Sequence, residues 1–204
     1  MDSLRNSILA GMMIGIGSTI YLVLDNKIIG AILFSIGLFM ICSFGMYLFT
    51  GKIGYAVRTR NKPNCLVIWI GNLIGSIAVS TMIRFAKPEL KIIAAELVSN
   101  KLQQEFISIA LLSILCGFLM FLAVDNYSRH PDSLSGILGI FLCVSAFILC
   151  GFEHSIADMN YCVLAIDSFE QVVNFLYFIF VVSIFNGVGA LFMRWITTPI
   201  VKRK

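Results

Sequence analysis

The chain has 204 residues, of which 59% are hydrophobic and only 13% charged, and its mean hydropathy is +0.93. Soluble domains carry roughly 25% charged residues, so too few ionised groups remain here to cover a wetted surface. A water-soluble enzyme, a nucleic-acid binder and a disordered regulator all fit poorly, and the net charge of +4 is scattered between apolar runs instead of gathered into a basic patch.

A helical membrane crossing needs about 20 apolar residues. Runs of that kind fall at residues 4–24, 28–57, 65–85, 106–124, 134–166 and 172–196. They read as six crossings with short connections, an all-α membrane protein in one transmembrane domain over residues 1–204. The first run follows Arg5 but has no small-residue cleavage pattern, so a retained helix is expected, not a signal peptide. Six crossings put both termini on one side, with Arg5, Arg58, Arg60, Lys62, Arg129, Arg194, Lys202, Arg203 and Lys204. Lys27, Arg84, Lys87, Lys91 and Lys101 fall opposite, the last four within a basic connection over residues 84–101. The surplus of positive charge predicts cytoplasmic termini and a multi-pass protein of the cell membrane. Six cysteines are dispersed without a C-x-x-C pair and read as small apolar packing residues. No metal site and no cofactor are expected.

Runs two and five are longer than one crossing requires, and each holds polar, glycine-bearing residues near its middle. These are Phe49-Thr50-Gly51-Lys52 in one and Gly151-Phe152-Glu153-His154-Ser155 in the other. A charged residue at mid-membrane depth costs about 2.5–3.5 kcal/mol on insertion scales. A helix interrupted inside a protein-lined cavity avoids that cost, whereas a tilted continuous helix does not. The halves, about 1–100 and 101–204, also echo one another. Gly37-Leu38-Phe39-Met40 resembles Gly139-Ile140-Phe141-Leu142, and Asn72-Leu73-Ile74-Gly75 matches Asn186-Gly187-Val188-Gly189. Three crossings per half require the second half to be inverted, which points to a permeation site at the midplane.

The segment Gly151-Phe152-Glu153-His154-Ser155-Ile156-Ala157-Asp158-Met159 resembles the signature of the formate/nitrite transporter family. Leu48-Phe49-Thr50-Gly51, Ile70-Gly71-Asn72-Leu73-Ile74-Gly75, Asn186 with Gly189, and Ala10-Gly11 with Gly15 and Gly17 extend the resemblance over nearly the whole chain. It implies an aquaporin-like fold with helices two and five broken, a homopentamer, and a pore for small monovalent anions in every protomer. His154 would be the central pore histidine, Thr50 its partner on the opposing loop, and Lys101 the lysine near the pore. Phe34, Leu38, Leu48 and Phe147 would form apolar constrictions, while Glu153, Asp158, Asn72 and Asn186 would structure the loops. Three residues depart from the family pattern: Asp158 replaces a usual Asn, Gly117 stands where an Asn flanks the lysine, and Lys52 replaces a small or amide residue.

The chemistry is coherent. A bare anion crosses an apolar constriction only at a large desolvation cost, but a weak acid that accepts a proton crosses as a neutral molecule. Histidine is the side chain suited to share that proton near neutral pH. Lys101 and the N-termini of half-helices would draw the anion in. The expected partners are therefore small monovalent anions, protons and the lipid bilayer. The residues alone leave alternatives: Lys101 as a snorkelling interfacial cation, Glu153 as a structural tie, and Asp158, Asp167 and Glu170 in solvated connections. A neutral-solute channel and an intramembrane enzyme using Glu153 and His154 are the competing functions, the latter lacking any G-x-S-x-G or H-E-x-x-H motif.

Overall fold

The computed structural model describes residues 2–57, 62–131 and 133–197, and every regular element among them is helical. Runs one, three, four and six each form one long helix: α1 (Asp2–Val23), α4 (Cys65–Ala86), α6 (Phe106–Arg129) and α9 (Phe169–Thr197). By length and composition these four can cross a membrane. Runs two and five each hold two helices. The second gives α2 (Lys27–Ser43) and α3 (Phe49–Lys52), the latter extended by a 3-10 turn Ile53–Ala56; the fifth gives α7 (Leu134–Leu149) and α8 (Ser155–Ala165). Local chemistry starts several of them. Asn26 Oδ1 accepts from the N–H groups of Ile28 and Ile29 at 3.1 Å, Asn64 Oδ1 from Val67 at 3.2 Å, and Ser133 Oγ from Gly136 at 3.0 Å, satisfying donors that a helix N-terminus leaves orphaned.

The interruptions in runs two and five have one design. Gly45 at φ +64° and Gly151 at φ +66° are the only described glycines in the left-handed region, where a side chain would be strained. Beyond each, an N–H reaches back over the helix end: Met46 to Ile41 O at 2.8 Å, and Phe152 to Phe147 O at 2.9 Å. This is the glycine-terminated helix end of a Schellman motif. The first interruption therefore lies at residues 44–48, ahead of Phe49-Thr50-Gly51-Lys52, which is helical. The sequence reading placed it one turn late because it followed the polar residues and not the lone glycine. The pairing of Gly37 with Gly139 is also out of register: with Gly45 opposite Gly151, Gly37 corresponds to Cys143.

The packing repeats in the same order. α1 packs on α4 and α2, α6 packs on α9 and α7, and α2 meets α7 between the two sets. α8 lies on α1, α4 and α5 (Leu90–Leu102), whereas α3 and its 3-10 turn lie on α6 and α9. Each set thus embraces the short helix of the other. The closest approaches also match. A Cβ on Gly11 would sit 2.1 Å from Asn72 O, and one on Gly117 2.2 Å from Asn186 O, so backbones touch where small residues permit it. The outer surface is apolar, with Leu66, Met82, Phe85, Ile107, Leu142 and Phe180 all largely exposed.

The stretch 84–101, read as a basic connection, holds all but the last residue of a further helix, α5 (Leu90–Leu102). Leu90, Ala94 and Val98 point inward at a spacing of four residues and pack against α8. Arg84 ties the same region by donating to Ile166 O and pairing with Asp167, which Lys91 also reaches. Arg58, Arg60, Lys202, Arg203 and Lys204, five of the cations behind the orientation reading, lie outside the described residues.

Candidate functional site

Two asparagines frame the site. Asn72, fully buried on α4, accepts from the N–H of Phe49 at 2.8 Å through Oδ1 and donates through Nδ2 to Ser7 O at 2.7 Å and Tyr47 O at 2.9 Å. Asn186, fully buried on α9, accepts from Ser155 N–H at 3.0 Å and donates to Ser113 O and Glu153 O, both at 2.8 Å. Phe49 and Ser155 open α3 and α8. Each amide thus satisfies a helix-start donor and the carbonyl two residues earlier, at a depth where water cannot.

The loop that Asn186 ties down ends with His154 at the N-cap of α8. Its Nδ1 accepts from Ala157 N–H at 3.1 Å, and its Nε2 lies 3.0 Å from Thr50 Oγ1 on α3. An Nδ1 that accepts cannot carry the proton, so in the neutral ring the proton sits on Nε2 and is donated to Thr50. Both residues are buried. The Phe147 ring stacks on the imidazole with centroids 5.2 Å apart and planes at 19°, and Phe34 meets Phe147 edge-on at 6.0 Å. Leu38 and Leu48 belong to the same buried apolar cluster as these two rings. Leu48 is the N-cap of α3, the place His154 holds in α8.

Behind the histidine lies an ionic group that joins α5 to α8. Lys101 Nζ contacts Glu153 Oε2 and stands 3.1 Å from Asp158 Oδ1, while Gln104 Nε2 donates to Glu153 Oε1 at 2.7 Å. The Lys101 side chain is 13% exposed and the two carboxylates 1%. Lys101 is therefore no snorkelling cation, and Asp158 does not lie in a solvated connection; the lysine brought by α5 draws the carboxylate inward. The Glu153 carboxylate and the His154 ring have separate partners, which removes the geometry an acid–base pair would need. Gln104 was not singled out from sequence, and nothing in its local pattern marks it.

A cavity of about 800 Å³ reaches Leu48 and Gly51 from one side and is also lined by Tyr47, Lys52, Tyr55 and Lys62. It stops short of Thr50 and His154. Lys52 sits over the Tyr47 ring at 5.1 Å, and among the described residues no carboxylate pairs with it. Beside the cavity, Asp125 Oδ1 accepts from Tyr55 Oη at 2.7 Å and Oδ2 from Arg129 Nε at 2.7 Å, with Arg194 3.6 Å away. This clasp holds the 3-10 turn after α3 against α6 and α9. Its sequence signal is the single acid of α6, one residue past the end of the apolar run.

A model of the formate/nitrite transporter family matches residues 1–200. The formate channel FocA of Haemophilus influenzae is 25% identical over 149 residues, covering 66% of this chain and 52% of FocA. The nitrite transporter NirC of Salmonella typhimurium is 27% identical over 176 residues, 76% of this chain and 65% of NirC. The transporter YwcJ of Bacillus subtilis is 30% identical over 188 residues, 79% of this chain and 71% of YwcJ. The matches thus span 52% of FocA and 65% of NirC, less than two thirds of either. Among solved structures, a pentameric formate channel with formate bound superposes with a TM-score of 0.84 at 25% identity, covering 98% of this chain and 97% of that one. An FNT family ion channel superposes with a TM-score of 0.80 at 21% identity, covering 98% and 88%.

Proposed function

Because this chain belongs to the formate/nitrite transporter family, we propose that it forms a membrane channel for small monovalent weak-acid anions such as formate, nitrite or hydrosulfide, with His154 sharing a proton with the anion. In this reading α1, α4, α6 and α9 are four crossings, and the pairs α2/α3 and α7/α8 are two interrupted ones. The two three-crossing units are inverted copies, and the termini lie on the cytoplasmic side. The shared hydrogen bonds of Asn72 and Asn186 support the repeat, as do the matched turns at Gly45 and Gly151. The structural similarity to a pentameric formate channel supports assembly as a homopentamer in the bilayer, with a pore in each protomer.

The observation that carries the proposal is the Thr50–His154 hydrogen bond, made between the two units and sealed by Phe147 and Phe34. An anion enters the cavity beside Lys52 and Lys62 and loses water at Leu48. It then meets the Thr50 hydroxyl, polarised by the Nε2 proton behind it. A strong hydrogen bond shared along this pair spreads the negative charge where the walls are apolar. Full transfer from the ring needs the imidazolium, which forms only if Nδ1 gives up the Ala157 N–H. The neutral state therefore shares a proton, and the cation donates one.

Flux of formate, nitrite and hydrosulfide into proteoliposomes tests this across a pH series. His154→Ala should lower the flux sharply or abolish its pH dependence. Unchanged, still pH-dependent flux in that variant would remove the histidine from the mechanism.

A further inference from the structure

Lys101 faces two buried carboxylates that are not equally served. Both oxygens of Glu153 are bonded, one by Lys101 and one by Gln104. Asp158 offers Oδ1 to Lys101, but its Oδ2 is sealed from solvent and has no hydrogen-bond partner among the described residues. The elements around it bring no second cation among the described residues. On α4, Arg84 is committed to Ile166 and Asp167; on α5, Lys91 pairs with Asp167, and Glu96 is exposed. The Cys116 thiol of α6 and the Cys162 thiol and Tyr161 hydroxyl of α8 also feel the group. α9 brings the neutral amide of Asn186, and His154 accepts at Nδ1. One ammonium against two ionised carboxylates would leave a buried negative charge without compensation, which is strongly unfavourable.

We infer that Asp158 is a proton-binding site of this channel, that Oδ2 holds the proton, and that anions permeate when it is occupied. The inference rests on the channel reading above. With the proton bound, Lys101 and Glu153 cancel and the group is neutral. When the proton leaves to solvent, the group carries one net negative charge a single helical turn from His154, since the Asp158 N–H donates to His154 O at 2.9 Å. That charge repels an approaching anion in a medium that screens it poorly. The acid at this position therefore couples anion permeation to proton uptake through a group other than the histidine.

Asp158→Asn keeps the shape and removes the site. Formate flux into proteoliposomes should match wild type at the acidic end of the series. The ratio of variant to wild-type flux should then rise by about tenfold per pH unit above the wild-type midpoint, the slope of a one-proton step. Infrared spectra of the wild-type protein, with aspartate labelled at its carboxyl carbon, should show an isotope-shifted carboxylic-acid carbonyl band that disappears over the same pH range. Superimposable flux profiles for the two proteins overturn the inference. Should the variant fail to assemble, absence of the acid band from conducting wild-type protein overturns it equally. If no anion permeates, the channel reading fails, while the band still reports whether Asp158 holds a proton.

Discussion

Asn186→Ala tests how the site is held. The substitution removes one acceptor and two donors, all within 3.0 Å of their partners. Ser113 O lies inside α6 and keeps its helical partner. Ser155 N–H and Glu153 O have no such fallback, because one opens α8 and the other precedes it. Each orphaned buried group costs about 1–3 kcal/mol, so the variant should lose about 2–6 kcal/mol. At the usual proportionality for a chain of this size, that is a fall of roughly 5–20 °C in unfolding midpoint. Thermal unfolding of the purified protein in detergent, with flux measured on the same preparation, reads both consequences. Asn186→Asp should be no better than Ala, because an ionised carboxylate turns lone pairs toward two carbonyl oxygens. A variant with the wild-type midpoint and wild-type flux would refute the reasoning, since among the described residues no other group accepts from Ser155 N–H.

Two further predictions concern the path itself. Thr50→Val retains shape but strips the hydroxyl from Nε2 of His154, leaving a buried donor unpaired at about 1–3 kcal/mol. Flux should fall roughly tenfold or more while the oligomer measured by size-exclusion chromatography is unchanged, and wild-type flux would show that the hydroxyl lies off the path. Lys52→Gln removes a cation from the cavity lining. Flux at low ionic strength should drop several-fold and converge with wild type at high salt, where an attraction exerted across solvent is screened; a salt-independent difference would mean that Lys52 acts by packing.

Much of this was legible because some constraints are local. The Asn-x-x-Gly pairs could be found by eye, since both copies need an amide and a small residue one turn apart. His154 stood out as an ionisable group in an apolar run. The turn at Gly45 was harder, as its only signal is one glycine among apolar neighbours, while Thr50 and Lys52 nearby advertised polarity more loudly. Asp158 was misplaced for a physical reason: carboxylates are buried only when paired, and its partner arrives on a helix far away in sequence. That helix, α5, is masked in the sequence because Lys91, Glu96 and Lys101 break up the apolar spacing of Leu90, Ala94 and Val98. Asp125 shows the reverse, a lone acid whose partners come from three elements and cannot be matched by inspection.

Turn matched to turn, the repeat sets Leu48 opposite His154 and Lys52 opposite Asp158. If the two units are inverted copies, a scaffold built alike from both sides carries an apolar residue and a cation in one arm, an imidazole and an acid in the other. On the proposed channel reading, such a path would conduct unequally in its two directions. Opposed gradients of equal size should drive unequal currents, and exchanging the residues of either pair should weaken or reverse that rectification without disturbing the backbone that the two asparagines hold.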